Sequence, residues 1–319
     1  MRTVIVALLA FVVAASAADA DSYPSKPIRA IIPAGAGSGV DVIPRIVFEE
    51  LSARLGQPII VENRGGAGGI IGTTAVAKAE PDGYTILANS TAHSITPAIY
   101  SNLNYDAMTD FVPVGAIGSL PNVLIIAPSK GIKTLAEFVV AAKAKPGSFN
   151  FASLGLGSAV HMSAERFRIA AGYEAVHVPF KGGAEALTEV IAGRVDYYFC
   201  PIATALPHIK EGGLLGLAVS SPTRSALLPD VPTTLESGYP DSDFTFWVGV
   251  FAPAKTPKDI VDKLNREIAA AVASPRVREK LAALGVEPMT MSQPEFAAYV
   301  KSELARYSAF AKATGLKAD

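Results

Sequence analysis

Cysteine is nearly absent. Cys200 stands alone in a chain of 319 residues, so no internal disulfide can form, and its neighbours Tyr197, Tyr198 and Phe199 point to a buried, inert thiol. Charge is sparse and balanced. Asp, Glu, Lys and Arg make up 18% of residues and the formal net charge is -1, which offers nothing to nucleic acid or to an anionic membrane surface. Four histidines occur, His93, His161, His177 and His208, with neither HxH nor HExxH spacing and no cysteine beside them, so no metal and no cofactor is implied. Walker A spacing is missing. Ser38, Ser90, Ser153 and Ser158 fall in loops, but none lies in the GxSxG pattern of a nucleophile elbow. With nucleophile, metal and dinucleotide patterns all missing, the chain reads as a binder, not an enzyme. No residue-level repeat, low-complexity tract or heptad pattern is present.

A bilayer-spanning apolar run is also lacking. Val4 to Val13 is too short for that. It follows Arg2 and precedes Ala15-Ser16-Ala17, a small-residue cleavage site, with Ala18-Asp19-Ala20 as a second possible cut. Residues 1–20 are therefore read as an export signal cleaved near 17–20, and the remainder as a soluble periplasmic protein of a Gram-negative cell. No cysteine sits at the cut, so a lipid anchor is not expected.

What the chain does contain is apolar residues, 50% of the total, punctuated by 27 glycines and 23 prolines into many short elements. The stretch Ile28 to Arg45 organises them. A β-branched run, Ile28 to Ile32, meets Pro33 and then a bare turn with Gly35, Ala36, Gly37, Ser38 and Gly39. A helical pattern follows, in which Val40, Ile43, Val47 and Leu51 share one face. Strand, bare turn and helix start together can make an anion site, because glycine lets backbone approach and the first N–H groups of a helix point at the guest. Phe149 to Ser153, then Gly155, Gly157 and Ser158, then a helical run to Gly172, repeats the design. A structural tight turn and an anion nest are equal readings of either stretch alone. Asp41 is read as a local cap, turned away from any anion, and His161, on the first turn of the second helix, as either a ligand contact or a local cap. Lys181 is read as a solvated loop lysine. The strand Tyr84 to Ala88 ends in Asn89, Ser90 and Thr91, small polar groups at the carboxyl end of a strand, where parallel sheets bind ligands.

Strands alternate with helices along the chain, which predicts an α/β fold of parallel-rich sheets flanked by helices. Asp110 to Ile117 and Val123 to Ala127 are predicted as two strands with Gly118 to Pro121 between them. The pattern closes with Val195 to Cys200, Leu214 to Ser220, Phe244 to Ala252 and three helical runs in the tail. Two domains are expected, one from 23–122 with 246–319 and one from 123–245, joined by two hinge crossings near 118–121 and 243–246 with a cleft between them. Tyr197 to Phe199 is predicted to line the core on one face and the cleft on the other.

The chain resembles the tripartite tricarboxylate transporter substrate-binding proteins, the Bug family of periplasmic receptors. The marks are YPSKPIRAIIP at 23–33, DVIPR at 41–45, LGQPIIVENRGGAGGIIG at 55–72, PDGYTIL at 81–87 and DFVPV at 110–114. GLGSAVHM at 155–162, HVPFKGG at 177–183, LPDVPTTLESG at 228–238, FWVGVFAPAKTP at 246–257 and Glu295-Phe296 complete them. The resemblance implies a two-lobed periplasmic binding protein fold that closes on a small carboxylate or dicarboxylate and delivers it to membrane transporter subunits. It implies a monomer without cofactor. Carried over by position, the guest meets Gly35, Ala36, Gly37, Ser38 and Gly39 of the first turn and Ser153, Gly157, Ser158 and His161 of the second, with Ser90 and Thr91 as further contacts. Two departures stand out. Gly35-Ala36-Gly37-Ser38 replaces the family's proline and paired glycine, and Gly65 replaces the usual proline after Asn63-Arg64. A sensor feeding a signalling partner through the same cleft is the alternative function.

Overall fold

The structure, a computed structural model, describes residues 23–317. The expected export signal, residues 1–20, lies outside them. In chain order the elements are β1 (Ile28–Ile32), α1 (Gly39–Leu55), β2 (Ile59–Asn63), α2 (Ile70–Ala77), β3 (Thr85–Ser90), α3 (Ala92–Ile99) and β4 (Phe111–Ile126). Next come α4 (Leu135–Ala144), β5 (Phe149–Ser153), α5 (Ala159–Ala171), β6 (Ala175–Pro179), α6 (Gly183–Ile191), β7 (Tyr197–Pro201), α7 (Ile202–Lys210) and β8 (Leu215–Val219). The chain closes with β9 (Thr245–Pro253), α8 (Lys258–Ala273), α9 (Pro275–Ala283), β10 (Glu287–Pro288) and α10 (Gln293–Thr314).

Local chemistry accounts for most of these boundaries. In α1 the residues Ile43, Val47 and Leu51 are all buried at helical spacing, and the helix stops at Gly56, whose φ of 68° suits glycine. Thr134 caps α4 by accepting the Glu137 amide. Ser292 and Glu295 form a reciprocal capping box at the start of α10.

The strands run in the order β2-β1-β3-β9-β4-β7-β5-β6, with β8 and β10 also paired to β4. The pairs β1–β2, β1–β3, β5–β6 and β5–β7 are parallel, and the strands that cross the middle are antiparallel to their neighbours. This curled sheet, flanked by helices, has two lobes. One is built on β2, β1, β3, β9 and the first half of β4, the other on β8, β7, β5, β6 and the second half of β4. The C-terminal helices return to the first lobe: Val261, Leu264 and Ile268 of α8 share a core with Ile28, Ile86, Val47 and Val250.

Three features differ from the sequence expectation. The two strands predicted around 118–121 are one 16-residue strand, β4. Pro113 and Gly118 look like breakers, but register shifts at Pro113/Gly115 and Ala116/Gly118 absorb them as bulges. Pro121 lies where β4 leaves β9, its partner there being Thr245, and takes up β7 at Asn122. The helix α3 was not expected. Its sequence AHSITPAI carries β-branched residues and Pro97, yet burying Ile95 and Ile99 overrides that weak propensity. Finally, β7 has no cleft face: Tyr198 and Cys200 enter one core, Tyr197 and Phe199 another, and all four are at most 1% exposed. Burial pushes the Cys200 thiol up to about 12, in keeping with an inert group.

The second crossing, at the start of β9, is clamped by charge. Arg166 of α5 donates to the Asp243 carbonyl at 2.6 Å and to the Asp241 carbonyl at 2.5 Å. Arg306 of α10 meets the Asp243 carboxylate, and Glu303 accepts from the Trp247 indole at 3.3 Å.

Candidate functional site

Strand register sets the two glycine turns in opposite lobes. At the carboxyl end of β3, Ser90 is level with Val248 of β9, and Val248 with Gly118 of β4. In the other lobe Ala152 is level with Tyr198, and Tyr198 with Ile125. Since β4 runs antiparallel to β7, the carboxyl ends of β5 and β7 point back toward Asn122. Both sets of carboxyl ends therefore point toward residues 118–122, with the turn after β1 in one lobe and the turn after β5 in the other.

The two turns share one hydrogen-bond pattern, although Gly155 takes a φ of 105° that Gly35 does not. The Ser38 amide bonds the Gly35 carbonyl at 3.3 Å and its hydroxyl donates to the same carbonyl at 2.8 Å. The Ser158 amide and hydroxyl do the same to Gly155, at 3.2 and 2.7 Å. Gly37 and Gly157 take φ of 81° and 74°, backbone angles that a side chain resists. The Gly37 amide donates to the Asp41 carboxylate at 2.8 Å, and the Gly157 amide to Nδ1 of His161 at 3.4 Å. Read in this alignment, GAGSGVD at 35–41 and GLGSAVH at 155–161 are a local repeat, which the unlike flanking sequences hide. No heavy atom lies within 4 Å of where a Cβ on Gly35, Gly37, Gly39 or Gly155 would stand, so these backbones border open space. Among the described residues no partner takes the Gly39 and Val40 amides at the start of α1.

The turns differ in what supports them. Asp41 is 3% exposed, and besides Gly37 it accepts from Arg45 at 2.7 Å and Asn63 at 2.9 Å. Burial opposes its charge, but these hydrogen bonds prevail and hold its carboxyl below the ordinary range. Asp41 is thus a local cap, as expected. His161 is 3% exposed and stands 4.6 Å, ring to ring, from His177, which stacks on Phe151 at 5.2 Å. Burial first, then the neighbouring His177, push His161 down to about 4, so it is neutral near pH 7 with Nδ1 as the acceptor. Burial lowers His177 as well, and its Nε2 bonds the Ser153 hydroxyl.

The predicted residues separate by depth. Gly35, Ala36, Gly37 and Gly39 are exposed, and Ser38, Gly157 and Ser158 half-buried, at the open edge of the turns. Ser153 is fully buried; it accepts from the Gly155 amide at 3.0 Å and bonds His177, so it supports the second turn from beneath. Ser90 and Thr91 are 3% and 2% exposed, under the start of α3. The Ser38 hydroxyl closes its own turn instead of facing outward.

Three parts of the site escaped the sequence. His177 was one of four histidines without a pattern; its tie to Ser153 arises from the β5–β6 pairing, where Phe151 is level with His177. The C-terminal end of α3 lies between the second turn and the loop after β2: a Cβ on Gly157 would lie 3.0 Å from Ile99, and one on Gly68 would lie 3.0 Å from the Tyr100 ring. The loop carrying Gly65 backs the first turn, for a Cβ on Gly65 would lie 3.5 Å from the backbone of Ala34 and Gly35, a contact between segments that no local pattern announces. Among the described residues no group of three His, Cys, Asp or Glu could hold a metal ion.

Comparison with known proteins completes the description. The sequence profile of the tripartite tricarboxylate transporter family receptor matches residues 43–316. The structure of periplasmic binding protein BugD is 33% identical, with a TM-score of 0.75, covering 92% of this chain and 99% of that one. Rpa4515 of R. palustris, solved with adipate, is 32% identical with a TM-score of 0.77 over 92% of this chain and 99% of its own. MatC (Rpa3494) from Rhodopseudomonas palustris, solved with bound malate, is 32% identical with a TM-score of 0.73 over 90% and 99%.

Proposed function

This chain belongs to the tripartite tricarboxylate transporter receptor family, and on that footing we propose that it is a periplasmic receptor. It takes a small carboxylate or dicarboxylate between its lobes and hands it to membrane transporter subunits. The observation that supports the reading is the pair of similar turns at the carboxyl ends of β1 and β5, where the backbones of Gly35, Gly37, Gly39 and Gly155 border open space. Free amides at the start of α1 are donors suited to a carboxylate, each worth about 1.5–3 kcal/mol to a charged acceptor. A helix terminus adds roughly 0.3–1 kcal/mol, up to about 2 when partly buried. A handful of such contacts reaches micromolar affinity without an arginine in the site. A binding role is supported by the buried, neutral His161 and by the serines, which are held by their own turns. Adipate and malate in the two relatives support the carboxylate class.

The test is a thermal-shift screen of the purified protein against mono- and dicarboxylates, amino acids and neutral amides. A ligand that binds the native state alone raises the melting temperature. A rise with carboxylates alone is the expected result. Stabilisation by neutral or cationic compounds alone would remove the anion-site assignment.

A further inference from the structure

Apolar side chains stand uncovered at the rim of the second turn. Leu154 and Leu156, on either side of Gly155, are 44% and 49% exposed. Their counterparts in the matching first turn are Ala34 and Ala36. The same serine-closed hydrogen bonds form in both turns with alanine or leucine at these positions, so that closure does not require leucine there. The Phe180 amide donates to the Ser153 carbonyl at 2.8 Å and brings the loop after β6 against the end of β5, while the Phe180 ring packs on the core and leaves the two leucines uncovered. In the other lobe, Ile71 is 57% exposed, with its Cδ1 3.0 Å from where a Cβ on Gly66 would stand, on the loop that backs the first turn. Water gains nothing from these surfaces, and covering them is favourable at about 25 cal/mol per Å². Exposed apolar groups gathered beside polar binding groups mark a ligand surface.

The charges near the turns point the same way. Arg45 is taken by Asp41 and Asn63, and Arg64 by Glu62. Beyond the turns, then, these arginines are not free to recognise hydroxyls or a second carboxylate close to the first.

We propose that Leu154 and Leu156 form an apolar lip that selects a carboxylate with an unbroken hydrocarbon body, a methylene chain or an aromatic ring, over a short hydroxy acid. The inference rests on the carboxylate-receptor reading and names its ligand class. The carboxylate seats at the turns and the hydrocarbon lies along the lip as the lobes approach.

Titration calorimetry with hexanoate, adipate and benzoate against malate and lactate tests it, on the wild-type protein and on the double variant Leu154→Ser/Leu156→Ser. The expected result is that at least one of the hydrocarbon acids binds about tenfold or more tighter than malate, as covering two half-exposed leucines predicts. The double variant loses about that factor for the hydrocarbon acid and leaves any binding of malate unchanged. Because both leucines are exposed, the variant should melt with the wild type, and Leu156→Ala serves if it does not. Tighter binding of malate or lactate, or equal losses for all probes, overturns the lip while leaving the receptor reading intact. If no carboxylate binds at all, the receptor reading falls and the lip with it.

Discussion

Asp41 and His161 hold the same post in two matching turns: each accepts the amide of the glycine four residues before it, Gly37 and Gly157. One turn is braced by a buried anion tied to Arg45, the other by a neutral imidazole set against His177. The shared hydrogen bonds and unequal braces predict unequal consequences of mutation.

Ser158→Ala should weaken carboxylate binding more than Asp41→Asn does. Ser158 lies at the open edge and also caps α5 by accepting the His161 amide, whereas Asp41 faces inward. Calorimetry with adipate compares the two, and the reverse order would remove the second turn as the anion seat. The lost cap should also lower stability by about 1 kcal/mol.

Gly72→Ala should disturb the first turn from behind. A Cβ there would lie 2.6 Å from the Arg64 carbonyl and 3.0 Å from Pro33, both backbone atoms that cannot swing aside. A loss of roughly 1–3 kcal/mol in denaturant unfolding is expected, together with weaker ligand binding. Unchanged stability would mean that the Pro33 to Gly35 segment yields freely.

Asp243→Ala should destabilise the protein by about 3 kcal/mol or more. It removes the carboxylate that Arg306 meets beside Arg166, leaving two poorly solvated guanidinium groups near each other. Arg306→Ala should cost less, because that side chain is 30% exposed and water can replace its contacts. Urea midpoints read both, and a larger loss for Arg306→Ala would contradict the clamp.

Acidification should destabilise the fold between pH 6.5 and about 4. Burial lowers His93 from 6.5 to about 4, and His161 falls as far. In that window the unfolded chain binds protons that the folded chain refuses, so the histidines' stability is complete above pH 6.5 and declines as pH drops. His93 stacks 4.1 Å from Phe251 with Nδ1 unpartnered, so His93→Phe should flatten the decline in melting temperature from pH 7 to pH 4.5. An equally steep profile in that variant would assign the acid sensitivity elsewhere.

The sequence by itself determined the α/β alternation, the helix caps, both glycine turns and the family, because these depend on local rules: β-branched runs, helical spacing, and glycine where the backbone leaves ordinary angles. Asp41 as a local cap was legible for the same reason, its partner Gly37 being four residues away. What joins distant segments was decided only by the tertiary structure. The segment ending at Pro121 read as a break until the register of β4 against β9 and β7 placed that proline at the handover between lobes, and Pro113, inside a predicted strand, sits at a bulge. α3 formed against its own propensity because Ile95 and Ile99 found a core that includes Met162 and Tyr307. His177 joined the site only because β6 lies beside β5 and sets its ring against Ser153 and His161. Burial and pairing across the fold are sums over remote partners, and no local stretch of sequence carries them.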